Sequence, residues 1–337
     1  MRQSYAKHLP SLLLMLLCFA SIIPPAAAQD QPTATQVVDQ QEADFGVHPG
    51  QRRNHTKGVC AAGEFVGTKE AERYSRSALF SGKPIPVVAR FSVAGGNPNV
   101  PDTAPTPARG MALEFRLPSE KLQHITMINT PMFGAKEPKT FFDALVATKP
   151  DPATGKPDPK KVKAFLDSHP DARAQTEYLK THNPPVSFAN SDYFGIHTFK
   201  FVGKDNKATL VRWRFVPADG VKRLTDAQLK SMPRDFLAQE LIDRTKKSPV
   251  RWEMLVTIGQ PGDTETDPTV LWPANRKEFK AGTLTISSAT PQQGAPCEKI
   301  NYDPLVMADG IAASNDPILT FRSPAYAVSF SRRLQGK

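Results

Sequence analysis

The chain has 337 residues, 43 of them basic and 33 acidic, for a formal charge of +10 at neutral pH. An apolar share of 39% and 20 glycines without a strict repeat exclude a collagen-like or wholly disordered chain, and the length suffices for one large domain or two ordinary ones. With 32 prolines, long stiffened loops and modest helix content are expected.

The first segment reads as an export signal. Arg2 and Lys7 give a basic start, residues 12–23 are apolar apart from Ser21, and Ala26, Ala27 and Ala28 offer a small-residue cleavage site. The apolar run is shorter than the ~20 residues a membrane helix needs. Leu17 is too large, in front of Cys18, for lipid attachment. The expectation is a signal peptide at 1–28, cut after Ala28, and an exported, periplasmic or secreted mature chain without a membrane anchor. Without Arg2 and Lys7 the chain stays basic, which fits a local anionic ligand. No long basic run offers a nucleic-acid surface. Cys60 and Cys297 then remain. They allow one disulfide, but neither a cysteine framework nor a thiolate zinc site.

Residues 29–44, rich in Gln, Asp and Thr, read as a flexible leader. Short alternating runs follow at 64–68, 86–94, 111–117 and 125–128. Helical spacing takes over with Phe141, Phe142, Leu145 and Val146. A Pro-rich insert at 149–161 separates these from helix candidates at 162–166 and 172–180, the second stopped by Asn183-Pro184-Pro185. Strands resume at 195–202 and 208–216, joined by a polar loop at 203–207. A helix is expected around 235–242, strands at 251–259 and 282–287, and a last helix at 317–333. Many strands with short loops, interrupted by helices, predict an α+β fold built on an antiparallel β-barrel with helices outside it.

Several residues are candidates for chemistry. His55 lies in a basic stretch, Arg52-Arg53-Asn54-His55-Thr56-Lys57-Gly58. It is either a solvated loop residue or a general base whose protonation the neighbouring cations disfavour. Arg90, in an otherwise apolar strand with Ser92, either faces water at an edge or has an anionic partner. Arg322 and Tyr326 share a helix face. They read as a surface pair, or as a phenolate held ionised by a guanidinium and able to bind a metal. His197, mid-strand, reads as structural. Asp143, Asp192 and Asp316 show no paired-carboxylate spacing, and no GxGxxG, Walker, HExxH or GxSxG motif is present.

Taken together and in order, RRNHTKG, ARFSVAGG, NTPMF, GIHTFKF, DPTVLWP and NYDPLVMADGIAASNDPILTFRSPAY resemble the haem catalase family, and most closely its short, secreted branch of catalase-related peroxidases. The resemblance runs from Phe45 to Arg333. It implies an eight-stranded barrel with surrounding and C-terminal helices over 45–337, and b-type haem with its iron as cofactor. By the same resemblance His55 is the distal histidine that moves the peroxide proton, and Ser92 orients it. Tyr326 is the iron ligand, supported by Arg322 and behind it His197 and Asp316. Arg52, Arg90 and Arg333 match the arginines that hold the haem propionates, and Phe141 the aromatic on the haem face. Cys60 and Cys297 fall near the first and last barrel strands, where a disulfide could join them.

Three departures from the family pattern stand out. Ile128 occupies the place of the distal asparagine, with Asn129 one step along the strand and so on the opposite face unless a bulge intervenes. Asn54 replaces an apolar residue before the histidine, and Gly134 one of two pocket phenylalanines, which implies a wider, more polar approach. The chain runs only eleven residues beyond Tyr326. The function so implied is a peroxidase that reduces hydrogen peroxide and organic hydroperoxides with a small external electron donor, acting as a monomer or small homo-oligomer with weak catalase activity. The alternatives are a true catalase, a hydroperoxide isomerase, or a haem-binding protein without turnover.

Overall fold

A computed structural model describes Met1 and residues 31–337. The expected cleavage site and nearly all of the expected signal at 1–28 lie outside the described residues. Pro32–Lys337 form one compact unit.

The strands are β1 (Gly58–Gly67), β2 (Pro84–Val93), β3 (Arg109–Arg116), β4 (Leu122–Ile128), β5 (Tyr193–Val202), β6 (Ala208–Pro217), β7 (Val250–Ile258), β8 (Glu278–Pro291) and β9 (Ile311–Ala313). They pair antiparallel in the order β4-β3-β2-β1-β8-β7-β6-β5, and the Ile128–Phe194 pair between β4 and β5 closes eight of them into a barrel. Further along β5, residues 199–201 pair instead with β9. Alternation along the strands sends aromatic side chains inward. Phe65 meets Phe115 edge-on at 5.4 Å, and Phe91 stacks on Trp252 at 5.5 Å. All four are fully buried, and each stabilises the fold by roughly 2–3 kcal/mol.

Outside the barrel lie α1 (Ala34–Phe45), α2 (Lys69–Glu72), α3 (Pro138–Thr148), α4 (Pro159–Ser168), α5 (Arg173–Thr181), α6 (Asp226–Ser231), α7 (Leu237–Lys247), α8 (Pro296–Lys299) and α9 (Pro317–Leu334). Among the described residues no helix is long and apolar enough to cross a membrane.

The leader expected to be flexible at 29–44 is, from Ala34 onward, helix α1. Thr33 caps it in a reciprocal box with Gln36. Val37 and Val38 are buried, and Glu42 pairs with Arg53 at 2.6 Å and with Arg332 at 2.7 Å. A polar helix this short is marginal alone and is fixed by such tertiary contacts, which its composition does not display. Asp316 caps α9, its Oδ1 accepting from the N–H groups of Ile318 and Leu319. Cys60 of β1 and Cys297 of α8 form a disulfide.

Candidate active site

One cavity lies between the barrel wall and α9, with Val37 and Gln41 of α1 also bordering it. Two hydrogen-bonded groups of residues and a cluster of three arginines line it.

On the barrel side is His55. It is only partly covered because its ring borders the cavity. Its backbone sits at φ +55°, a region that side-chain-bearing residues seldom adopt. Its Nδ1 is 2.9 Å from Ser92 Oγ. The strand register explains why there is room. Ser92 of β2 stands opposite Gly110 of β3, and a Cβ at 110 would lie 2.8 Å from His55 Cε1 and 2.9 Å from Ser92 Oγ. Only glycine leaves the imidazole its place. Burial, followed by repulsion from Arg90, Arg322 and Arg52, pushes the His55 pKa down to about 3. The ring is therefore neutral at ordinary pH, and its Nε2 has no partner among the described residues.

On the helix side, Arg322 Nη2 donates to Tyr326 Oη at 2.8 Å and to Thr126 Oγ1 at 2.7 Å. Its Nη1 is 3.1 Å from His197 Nε2, and His197 Nδ1 is 2.7 Å from Asp316 Oδ2. A guanidinium only donates, so Nε2 must carry the lone pair and Nδ1 the proton given to Asp316. His197 is buried, and that burial lowers its pKa despite Asp316. The cap of α9 is thus tied through His197 to Arg322 and Tyr326. His197 lies mid-strand in β5, between Asp316 and Arg322.

At the margin, Arg52, Arg90 and Arg333 converge. Arg52 Nη2 donates to the carbonyl oxygens of Cys297 (2.8 Å) and Ile300 (2.7 Å). Arg90 donates to Gln292 Oε1 (2.7 Å) and the Thr56 carbonyl (3.1 Å). Arg333 Nη2 donates to the Ile300 carbonyl at 3.2 Å, and its buried Nη1 has no partner. All three have pKa values lowered chiefly by burial, that of Arg333 to about 10; repulsion from Arg52 adds to the shifts of the other two. No carboxylate pairs with any of them among the described residues. Such a cluster calls for an anion of more than one charge.

Phe141 of α3 borders the cavity and packs on Phe133, ring centres 5.8 Å apart. Asn129 does not reach it. Its Oδ1 accepts from the Arg109 backbone N–H at 2.7 Å and its own N–H donates to the Arg109 carbonyl, while Ile128 lines the cavity. The strand keeps its regular alternation there, and the expected catalytic role for Asn129 is withdrawn. The space expected at Gly134 is also taken. A Cβ there would lie 2.5 Å from Gln175 Oε1, and Gln175 of α5 donates to Thr130 Oγ1 and the Met132 carbonyl. Gly110 and Gln292, by contrast, gave no sequence signal. Their roles depend on which residue stands opposite them.

The catalase family profile matches residues 45–337. Over 335 residues the chain is 52% identical to a catalase-related peroxidase of Synechococcus elongatus, covering 99% of this chain and 98% of that one. A catalase-related peroxidase of Mycolicibacterium paratuberculosis is 31% identical over 302 residues, covering 89% and 95% respectively. A crystal structure of a fungal catalase superposes with a TM-score of 0.78 at 24% identity, covering 85% of this chain and 60% of that one. That structural likeness shows a shared fold.

Proposed function

Because this chain belongs to the catalase family, we propose that it is a haem-dependent peroxidase, reducing hydrogen peroxide and organic hydroperoxides with electrons from a small external donor. One observation carries the proposal. A single cavity is lined by His55 with Ser92, by Tyr326 with Arg322, and by three arginines without carboxylate partners among the described residues.

The residues fit haem. Tyr326 would bind the iron through Oη, and Arg52, Arg90 and Arg333 would hold the two propionates, with the unpartnered Nη1 of Arg333 a ready donor. Phe141 supplies an aromatic surface for the ring. Bound haem supplies the iron and electrons that allow the peroxide O–O bond to break. The chain supplies the proton path. With Nδ1–H given to Ser92 Oγ, His55 Nε2 is a lone pair facing the cavity. It takes a proton from the entering peroxide and returns it to the departing oxygen. Its depressed pKa keeps that lone pair free.

Ile128 in the wall favours the peroxidase course over catalase disproportionation, since strand β4 offers a second peroxide no polar side chain at that place. The retained His55–Ser92 pair, with Gly110 making room for it, argues against a haem carrier without turnover. Export to the periplasm rests on Arg2, Lys7 and the alanines at 26–28, and the Cys60–Cys297 disulfide supports an oxidising compartment.

Replacing His55 with Ala tests the proposal. Haem uptake should be preserved, and peroxide consumption should fall by about 10²–10⁴-fold. Unchanged consumption would overturn the assignment.

A further inference from the structure

We propose that Asn54 is a catalytic residue, whose side-chain NH2 group holds the peroxide oxygen beside His55. This rests on the peroxidase reading above and adds a hydrogen-bond donor beside its base.

The two ends of the Asn54 amide are committed differently. Its Oδ1 accepts from the backbone N–H of His55 at 2.8 Å and of Gly95 at 2.7 Å. Those bonds fix the side chain and hold the His55 backbone in its left-handed conformation. They also determine which end is oxygen. Nδ2 is left without a partner among the described residues, on a side chain that borders the cavity next to His55.

Other polar side chains on this wall are occupied. Ser92 is engaged with His55, Thr126 with Arg322, and Arg90 with Gln292 and Thr56. Strand β4 presents Ile128, with Asn129 turned to Arg109. Of the His55 loop's side chains at the cavity, Asn54 Nδ2 and His55 Nε2 are thus without a partner among the described residues, and the remaining free N–H groups are those of Arg52, whose Nη2 alone is engaged.

The step they serve moves one proton from a peroxide oxygen to His55 Nε2, leaving negative charge on that oxygen. A donor already fixed in place stabilises this charge without reorganising, and loss of one such donor costs about 10²–10³ in rate. Asn54 forms no covalent bond and gives up no proton.

The two roles separate by substitution. Asn54→Asp keeps the acceptor for both backbone N–H groups and removes the donor. Asn54→Ser keeps a short acceptor near the His55 N–H and cannot reach the peroxide, and it serves if the Asp variant fails to fold. Haem uptake and thermal midpoint should match the wild type, while kcat/KM for hydrogen peroxide falls about a hundredfold across the whole pH range. Cyanide affinity, read from the haem absorption band, should fall at least tenfold. A carboxylate acting only through His55 basicity would instead shift the pH profile and leave its plateau intact, which would overturn the proposal. Variants within twofold of an active wild type would also overturn it, leaving Asn54 as the support of the turn. A wild type that consumes no peroxide would overturn the parent reading and this one together.

Discussion

Arg52 Nη2 donates to the carbonyl oxygen of Cys297 at 2.8 Å, so a disulfide cysteine is also part of the seat of a cavity arginine. The same short segment serves the other two. Ile300 O accepts from Arg333, and Gln292 from Arg90. The Cys60–Cys297 bond fastens that segment to β1.

The disulfide should therefore affect cofactor retention without touching the cofactor. A Cys60→Ser, Cys297→Ser double variant is expected to bind haem about tenfold more weakly, the equivalent of one loosened hydrogen bond to a charged group. Absorbance titration with haem, at a temperature where circular dichroism shows the native fold, measures this. Equal affinity with and without the bond would show that the segment holds its shape unaided.

Gly110 should tolerate no side chain. Gly110→Ala places a Cβ against His55 Cε1 and Ser92 Oγ at under 3 Å. The imidazole must tilt, and a displacement near 1 Å can cost about 10²-fold in rate. Haem uptake should be preserved, because the arginines and Tyr326 lie elsewhere. Steady-state kinetics with hydrogen peroxide, alongside the haem absorption spectrum, gives both readings.

The pH dependence has a definite sign. His55 titrates near 3 in the folded chain against an ordinary value of 6.5, so the folded state binds its proton less readily than the unfolded state. Its stabilisation is complete above about 6.5 and is lost as pH falls from there through 3. His197 is shifted in the same direction. Asp44, raised to about 6, and Asp192 and Glu240, also raised, all chiefly by burial, oppose them over part of this window, while Asp263, Glu265 and Glu278, lowered chiefly by their hydrogen bonds to Arg276, Lys200 and Arg214, act with them. Denaturant melts of the cofactor-free chain at pH 7.5, 6, 5 and 4 should show steadily falling stability. Peroxide turnover by the haem-loaded protein should stay flat with respect to His55 until the fold itself is lost.

Much of this was legible in the sequence because barrel strands carry their own signature. Every second residue of β2 and β3, Val87, Ala89, Phe91 and Met111, Leu113, Phe115 among them, enters the core, and the helix of Arg322 and Tyr326 announces itself by four-residue spacing and by the Asp316-Pro317 start. Helix α1 was hidden. Its two buried valines sit in a polar stretch, and the ion pairs of Glu42 come from residues far along the chain. Asn129 shows the cost of strand parity, where one step decides between cavity and backbone. Gly110, Gln292 and Gln175 were illegible for a common reason. Each acts by standing opposite a particular residue, and register is a property of the folded sheet.

The most direct measurement is the oxygen released per hydrogen peroxide consumed by the purified, haem-loaded protein, with and without an electron donor. The account predicts little oxygen and slow consumption alone, and rapid consumption with oxidation of the donor when one is supplied. About one oxygen for every two peroxides, sustained without a donor, would contradict it and make the protein a catalase despite Ile128.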